Sequence, residues 1–124
     1  MKDNRTEIFQ TIKRLLKEYE PPLVAKSDFD SRYELYSPKG VIIAGRKKSE
    51  VWFAGLIIQS NYVGFYFMPV YTNTELKQVF KKELLSTLKG KSCFHIKTLD
   101  ANLTKQIKEA IEHGYKLYKK RGWI

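Results

Sequence analysis

Hydrophobic positions near both ends of the chain recur at helical spacing. The first set lies within residues 5–19 and consists of Ile8, Ile12, Leu15, Leu16 and Tyr19. Asn4 and Glu7 have the spacing of a capping box at its start, and Pro21 and Pro22 are expected to end it. The second set follows Asp100, a candidate N-cap, and consists of Leu103, Ile107, Ala110, Ile111, Gly114 and Tyr118. Both segments are therefore predicted to be amphipathic helices with one buried stripe.

Between these helices the pattern changes to short runs rich in aromatic and β-branched residues, which is typical of strands. Four such runs occupy residues 33–36, 41–46, 50–59 and 62–68. In the last two runs, large apolar side chains occupy both faces, which predicts central strands of an antiparallel sheet. On the third run we expect Trp52, Leu56 and Ile58 to share one face, and on the fourth Tyr62 and Tyr66. The polar stretch before the first run, residues 23–32, is predicted to be a connection.

A further helix and a final strand complete the pattern. Thr72 and Glu75 form a second candidate capping box, and the apolar positions after it are Leu76, Val79, Phe80 and Leu84. They predict a helix that ends near Leu85, and residues 91–99 are then predicted to form the last strand. The order of elements predicts a single α+β domain over residues 1–124. Its antiparallel sheet has about five strands packed against the N- and C-terminal helices, with an inserted helix before the last strand.

The charge of the chain is strongly positive, at +10, and it is concentrated in the second half, with +3 on residues 1–62 and +7 on residues 63–124. Such an excess attracts nucleic acid or other anions, although it also keeps a small protein in solution. One cysteine excludes an internal disulfide. No apolar run approaches the roughly 20 residues that a bilayer requires, and the N-terminus does not resemble a secretory signal. We therefore predict a cytoplasmic protein with no membrane attachment.

Cys93 and His95 are the candidate reactive groups, because two residues that are two positions apart on a strand share one face. Catalysis also needs an orienting group and an oxyanion site, and the sequence identifies neither. Free cysteine is among the most buried residue types, so a structural Cys93 is favoured and no enzymatic activity is predicted. Gly90-Lys91-Ser92 lacks the earlier glycine and the strand-to-helix context of a phosphate-binding loop.

Two other kinds of site can be considered. Single-strand nucleic-acid binders combine aromatic side chains with basic grooves. The candidates here are Trp52, Tyr62, Tyr66 and Tyr71 with Lys77, Lys81, Lys82, Lys89 and Lys91. Sheet aromatics are also common core residues, so both interpretations stay open. No metal site is predicted, since one cysteine and two distant histidines cannot close a zinc site. Asp28, Asp30 and Glu34 are the densest acidic group and the residues that a metal ion would use.

Three segments, MPVYTNTELKQVF, LKGKSCFHIKTLD and EHGYKLYKKRGW, resemble the YdhG-like bacterial domain family of unknown function. The resemblance covers most of the chain, and the residues around Gly90-Lys91-Ser92-Cys93-Phe94 are its most specific part. It implies a frataxin-like architecture of helices against an antiparallel sheet. One class of these bacterial proteins is regarded as an iron chaperone, so the resemblance implies iron as a ligand, whereas the residues themselves indicate no cofactor.

Together these observations predict a small intracellular binding domain, monomeric or homodimeric, for a partner protein or a small anionic ligand. A backbone turn flanked by Lys91 could hold an anion. The candidate ligand-binding residues are Lys91, Ser92, Cys93, His95, Trp52 and Tyr66. The alternative is nucleic-acid binding through the basic C-terminal half.

Overall fold

The structure of the protein is a computed structural model, which describes residues 4–43, 45–48, 50–72, 78, 80–90 and 92–124. Its helices are α1 (Arg5–Lys17), α2 (Met68–Thr72), α3 (Lys82–Leu85) and α4 (Ala101–Lys120). Its strands are β1 (Val24–Asp28), β2 (Arg32–Ser37), β3 (Val41–Ile43), β4 (Arg46–Lys48), β5 (Val51–Ile58), β6 (Val63–Phe67), β7 (Leu88–Lys89) and β8 (Cys93–Ile96). None of the helices within these ranges has the length and apolar composition needed to cross a membrane.

Six of the strands form one open antiparallel sheet in the order β1-β2-β5-β6-β8-β7, while β3 and β4 form a separate hairpin. The predicted α+β class, with an antiparallel sheet against terminal helices, is confirmed.

The prediction that residues 41–46 form a strand of this sheet was wrong, because the chain turns back within them at Gly45, whose φ is +78°. β1 was predicted to be a connection. Its side chains alternate only between exposed and half-buried, so this edge strand has almost no hydrophobic pattern.

The core lies between the helices and one face of the sheet. We call the face that the helices cover the inner face, and the opposite face of the sheet the outer face. Helices α1 and α4 contact each other, and α1 also contacts β5 and β6. From α4, the ring of Tyr118 packs edge-on against Phe53 with a centroid distance of 5.5 Å. The prediction for α4 is confirmed in detail, since Asp100 accepts a hydrogen bond from the Leu103 amide and every position of the predicted stripe is buried.

Two predicted helix starts differ from the structure. Asn4 precedes α1, but its side chain makes no capping hydrogen bond. The predicted helix before the last strand is not continuous, because Lys81 is extended, with φ −78° and ψ 160°, and α3 begins only after it. Glu75, Leu76 and Val79 lie outside the described residues. Within the described residues the inserted helix is therefore confirmed only as α3, since α2 ends at Thr72, where the predicted helix begins.

A β-bulge in β5 decides which side chains reach the outer face. Leu35 pairs with Ala54 and Tyr36 pairs with Trp52, so Phe53 is an extra residue between them. Phe53 and Ala54 are both fully buried. Because the bulge reverses the alternation, Trp52 lies on the outer face while Leu56, which pairs with the buried Phe65, lies on the inner face. The prediction that Trp52, Leu56 and Ile58 share a face was therefore wrong for Trp52.

Candidate binding face

Three aromatic side chains form a row across three neighbouring strands on the outer face. Tyr36 of β2 pairs with Trp52 of β5, and their rings are nearly parallel, at 19°, with centroids 6.2 Å apart. Tyr66 of β6 continues the row, with its ring centroid 5.9 Å from that of Trp52 and an angle of 30°. All three are only partly buried, whereas the helices lie over the inner face. We call Tyr36, Trp52 and Tyr66 the aromatic row.

Two strand glycines make space for this row. A Cβ on Gly55 would lie 3.0 Å from Cζ2 of Trp52, and a Cβ on Gly64 would lie 3.2 Å from Cε2 of Tyr66. The indole Nε1 also donates a hydrogen bond of 2.9 Å to the Ala54 carbonyl. Glycine weakens a strand interior unless close approach requires it. The rings are therefore held against the sheet backbone, and their orientation is defined before any ligand binds.

Basic segments leave the sheet at the same end as the aromatic row. The β3-β4 hairpin connects the end of β2 to the start of β5, next to Tyr36 and Trp52, and it carries the exposed Lys47. At this end Cys93, the first residue of β8, pairs with Tyr66 on one side and with the exposed Lys89 on the other. This end of the outer face therefore combines aromatic surface with positive charge.

Cys93 lies beside this row but does not have the environment of a nucleophile. Burial raises the pKa of its thiol, and hydrogen bonding to the Tyr66 hydroxyl opposes that shift only in part. Reactive cysteines require the opposite shift, toward the thiolate. No hydrogen bond within the described residues joins Cys93 to His95. The thiol is therefore expected to remain protonated at neutral pH.

His95 lies on the same face, two residues further along β8, and it contacts a different tyrosine. Its ring stacks on that of Tyr62, with centroids 3.9 Å apart and an angle of 13°. Partial burial, followed by the nearby charges of Lys89 and Lys97, lowers the pKa of the imidazole. Both causes favour the neutral form of the imidazole, and the two lysines place positive charge beside it.

The three acidic candidates for metal binding are not brought together. Asp28 pairs across the strands with the buried Tyr33, whereas Glu34 pairs with Ser27 on the opposite face. Asp28 forms an ion pair with Lys13, which holds the pKa of its carboxyl below the ordinary value. Glu34 accepts a hydrogen bond of 2.6 Å from Arg32.

Asp30 is exposed in the turn between β1 and β2. Among the described residues, no three His, Cys, Asp or Glu side chains form a group that could hold a metal ion. The described residues therefore provide no such group for the iron that the resemblance implies.

Of the two remaining candidates, Ser92 lies directly before β8, and Lys91 lies outside the described residues. The Ser92 carbonyl accepts a hydrogen bond of 2.9 Å from the Phe67 amide, which extends the pairing of β6 and β8 by one residue. Gly90 has a φ of +76°, so the turn is tight, and it joins two strands rather than a strand and a helix. This context also excludes a phosphate-binding loop of the P-loop type.

Comparison with known proteins returned no match to this chain, whether among family models, curated proteins or solved structures. The resemblance to the YdhG-like family therefore stays a prediction.

Four of the six candidate ligand-binding residues share the outer face: Trp52, Tyr66, Cys93 and His95. The sequence interpretation did not single out Tyr36, Gly55 or Gly64. Tyr36 follows Glu34 by two positions on the same strand, so alternation alone could have placed it on the polar face. Its position beside Trp52 depends on the bulge, which the sequence did not indicate.

Proposed function

We propose that this protein is a noncatalytic domain that binds single-stranded nucleic acid on the outer face of its sheet. The observation that carries the proposal is the aromatic row, three nearly parallel rings on adjacent strands of a face away from the helices. Bases stack on such rings with little dependence on sequence, because every base has a π-face.

The charges around the row favour an anionic strand over a neutral ligand. Two cations on or near this face, Lys26 and Arg32, form ion pairs with Glu50 and Glu34. The exposed Lys89 makes no ion pair with any described residue and lies at the end where Tyr66 pairs with Cys93. A strand whose bases stack on the row would therefore have a lysine available for its backbone. The net charge of +10 adds a longer-range attraction.

The test is titration of a short fluorescently labelled single-stranded oligonucleotide, followed by anisotropy. Replacing Trp52 or Tyr66 by Leu should weaken binding about tenfold each, which corresponds to roughly 1.4 kcal/mol and lies within the range for one stacked base. Phe29→Leu is the matched control, because Phe29 is an aromatic residue that is 64% exposed on the β1-β2 turn, away from the row. Circular dichroism of each variant checks that the fold is retained.

Binding should also weaken steeply as salt is added, since lysines replace counterions on the strand. Equal affinities for the Trp52, Tyr66 and Phe29 variants would mean that the strand binds elsewhere and would refute the proposed face. Absence of binding at low salt would refute nucleic acid as the ligand. Self-association that disappears in Trp52→Leu would instead indicate that a second copy covers the face.

A further inference from the structure

Three basic side chains lie together at the edge of the sheet where β7 and β8 pair. His95 lies on β8, Lys97 follows the end of that strand, and Lys89 pairs across the strands with Cys93, on the outer face. Both lysines are exposed and His95 is half-buried. The charges of both lysines act on the imidazole, which places all three groups within one electrostatic environment. We call Lys89, His95 and Lys97 the basic edge.

A cleft of about 420 Å³ opens beside the basic edge. The cleft is lined by the three residues of the basic edge and by Glu83, Ser86, Thr87, Thr98, Asp100 and Leu103. The hydroxyls of Ser86 and Thr87 donate to the carbonyls of Glu83 and Leu84. They can still accept a hydrogen bond from a ligand.

The two carboxylates of the cleft do not neutralise the basic edge. Neither Lys89 nor Lys97 forms an ion pair with any described residue. The Asp100 carboxylate accepts the Leu103 amide at 2.7 Å and so caps α4. Glu83 lies in the first turn of α3 and is exposed. The cleft therefore has a cationic wall on the sheet and an acidic wall on the helices.

We infer that the basic edge is a phosphate-binding subsite, which takes a phosphate group of the strand whose bases stack on the aromatic row and holds it between Lys89, His95 and Lys97. The source of the phosphate rests on the proposed function, whereas the subsite itself rests on the cleft and its charges. His95 pairs with Gly64, which is the glycine that accommodates Tyr66, so the subsite and the row are contiguous.

Phosphate binding should be coupled to protonation of His95. The titratable and charged groups that surround this imidazole are Tyr62 before β6, Lys89 on β7, Cys93 on its own strand, Lys97 after it, Glu83 on α3 and Asp100 at the start of α4. In the free protein the two lysines disfavour the imidazolium. A bound phosphate offsets their charge and accepts a hydrogen bond from the protonated ring, so the pKa of His95 should rise. Binding therefore becomes weaker as the pH rises through that value.

The test is an NMR pH titration of the two histidines in the folded protein, with inorganic phosphate or with sodium chloride at equal ionic strength. His113, exposed on α4, is the internal reference. Phosphate should raise the pKa of His95 above the value that the same residue has in chloride. Lys97→Gln should weaken the phosphate affinity at least about fivefold. Glu83→Gln should strengthen it, because it removes a negative charge from the opposite wall.

If the pKa of His95 is the same in phosphate as in chloride, up to millimolar phosphate, the subsite is overturned whether or not oligonucleotides bind. A selective shift of His95 together with no oligonucleotide binding would retain the subsite and remove the proposed function. An oligonucleotide that binds but leaves His95 unshifted would place the phosphates elsewhere and overturn the link between the two sites.

Discussion

Replacing Gly114 by Ala is expected to destabilise the protein, although alanine is the better helix former. Gly114 lies in the middle of α4, where a Cβ would be 2.5 Å from Cζ of Phe67 and 2.8 Å from Cγ of Pro69. Carbon atoms in contact prefer about 3.5–4.0 Å, so the helix or the ring would have to move by on the order of 1 Å. Phe67 is fully buried and packs against Phe53, Phe65 and Phe80, which limits that movement.

The magnitude follows from two opposing contributions. Overpacking a core typically costs about 1–3 kcal/mol, and we expect the upper end because three atoms lie within 3.0 Å of the added carbon. The gain in helix propensity from Gly to Ala offsets about 1 kcal/mol. The free energy of unfolding of Gly114→Ala should therefore fall by about 2 kcal/mol.

Urea denaturation followed by circular dichroism measures this change. The midpoint should fall by about 1 M at an unchanged slope, given typical slopes of 1–3 kcal/mol/M. Lys108→Ala, at an exposed position of the same helix, is the control and should leave the midpoint nearly unchanged. In a double-mutant cycle, Phe67→Leu should relieve part of the clash, so that Gly114→Ala costs less in that background. A midpoint for Gly114→Ala equal to or above that of the unmodified protein would refute the close approach of α4 to β6.

Two further predictions concern a buried hydrogen bond and the single thiol. Gln106 is 5% exposed and accepts the Leu84 amide through Oε1 at 3.1 Å. Gln106→Met keeps the shape but leaves that amide unpaired, so it should lower the free energy of unfolding by about 1–3 kcal/mol, and an unchanged urea midpoint would contradict this. Because burial raises the pKa of Cys93, iodoacetamide should alkylate the native thiol more slowly than the urea-unfolded one at neutral pH, with a rate that increases into the alkaline range. Tyr66→Phe should slow the reaction further, and a native rate equal to or above the unfolded rate would contradict the raised pKa.

The accuracy of the sequence-based predictions differed between elements for physical reasons. α4 was predicted almost completely, since its cap at Asp100 and its stripe are local features that packing then reinforces. β6 was also assigned correctly, with Tyr66 opposite the buried Val63, Phe65 and Phe67. In β5 the prediction failed at one residue, because a bulge depends on pairing with β2 and leaves no mark in the hydrophobic pattern.

Several candidate site residues were predictable one by one, but their arrangement was not. Trp52, Tyr66, Cys93 and His95 stood out as aromatic or titratable residues. The row itself requires Tyr36, which comes from a different part of the chain and meets Trp52 only through strand pairing. Conversely, strand pairing separates acidic residues that are close in sequence, because Asp28 and Glu34 lie on opposite faces of the sheet.

The amino-acid sequence by itself determined the class of the fold, the two terminal helices, the central aromatic strands and the basic character of the protein. These properties depend on the identity and spacing of neighbouring residues, which act over one or two turns of helix or a few residues of strand. Tertiary structure alone decided which aromatic rings lie side by side, that the half-buried Cys93 thiol lies beside Tyr66, and that Lys89 and Lys97 lie near His95. These relations arise from strand order, from one bulge and from burial, because each of them brings together residues that are distant in the chain.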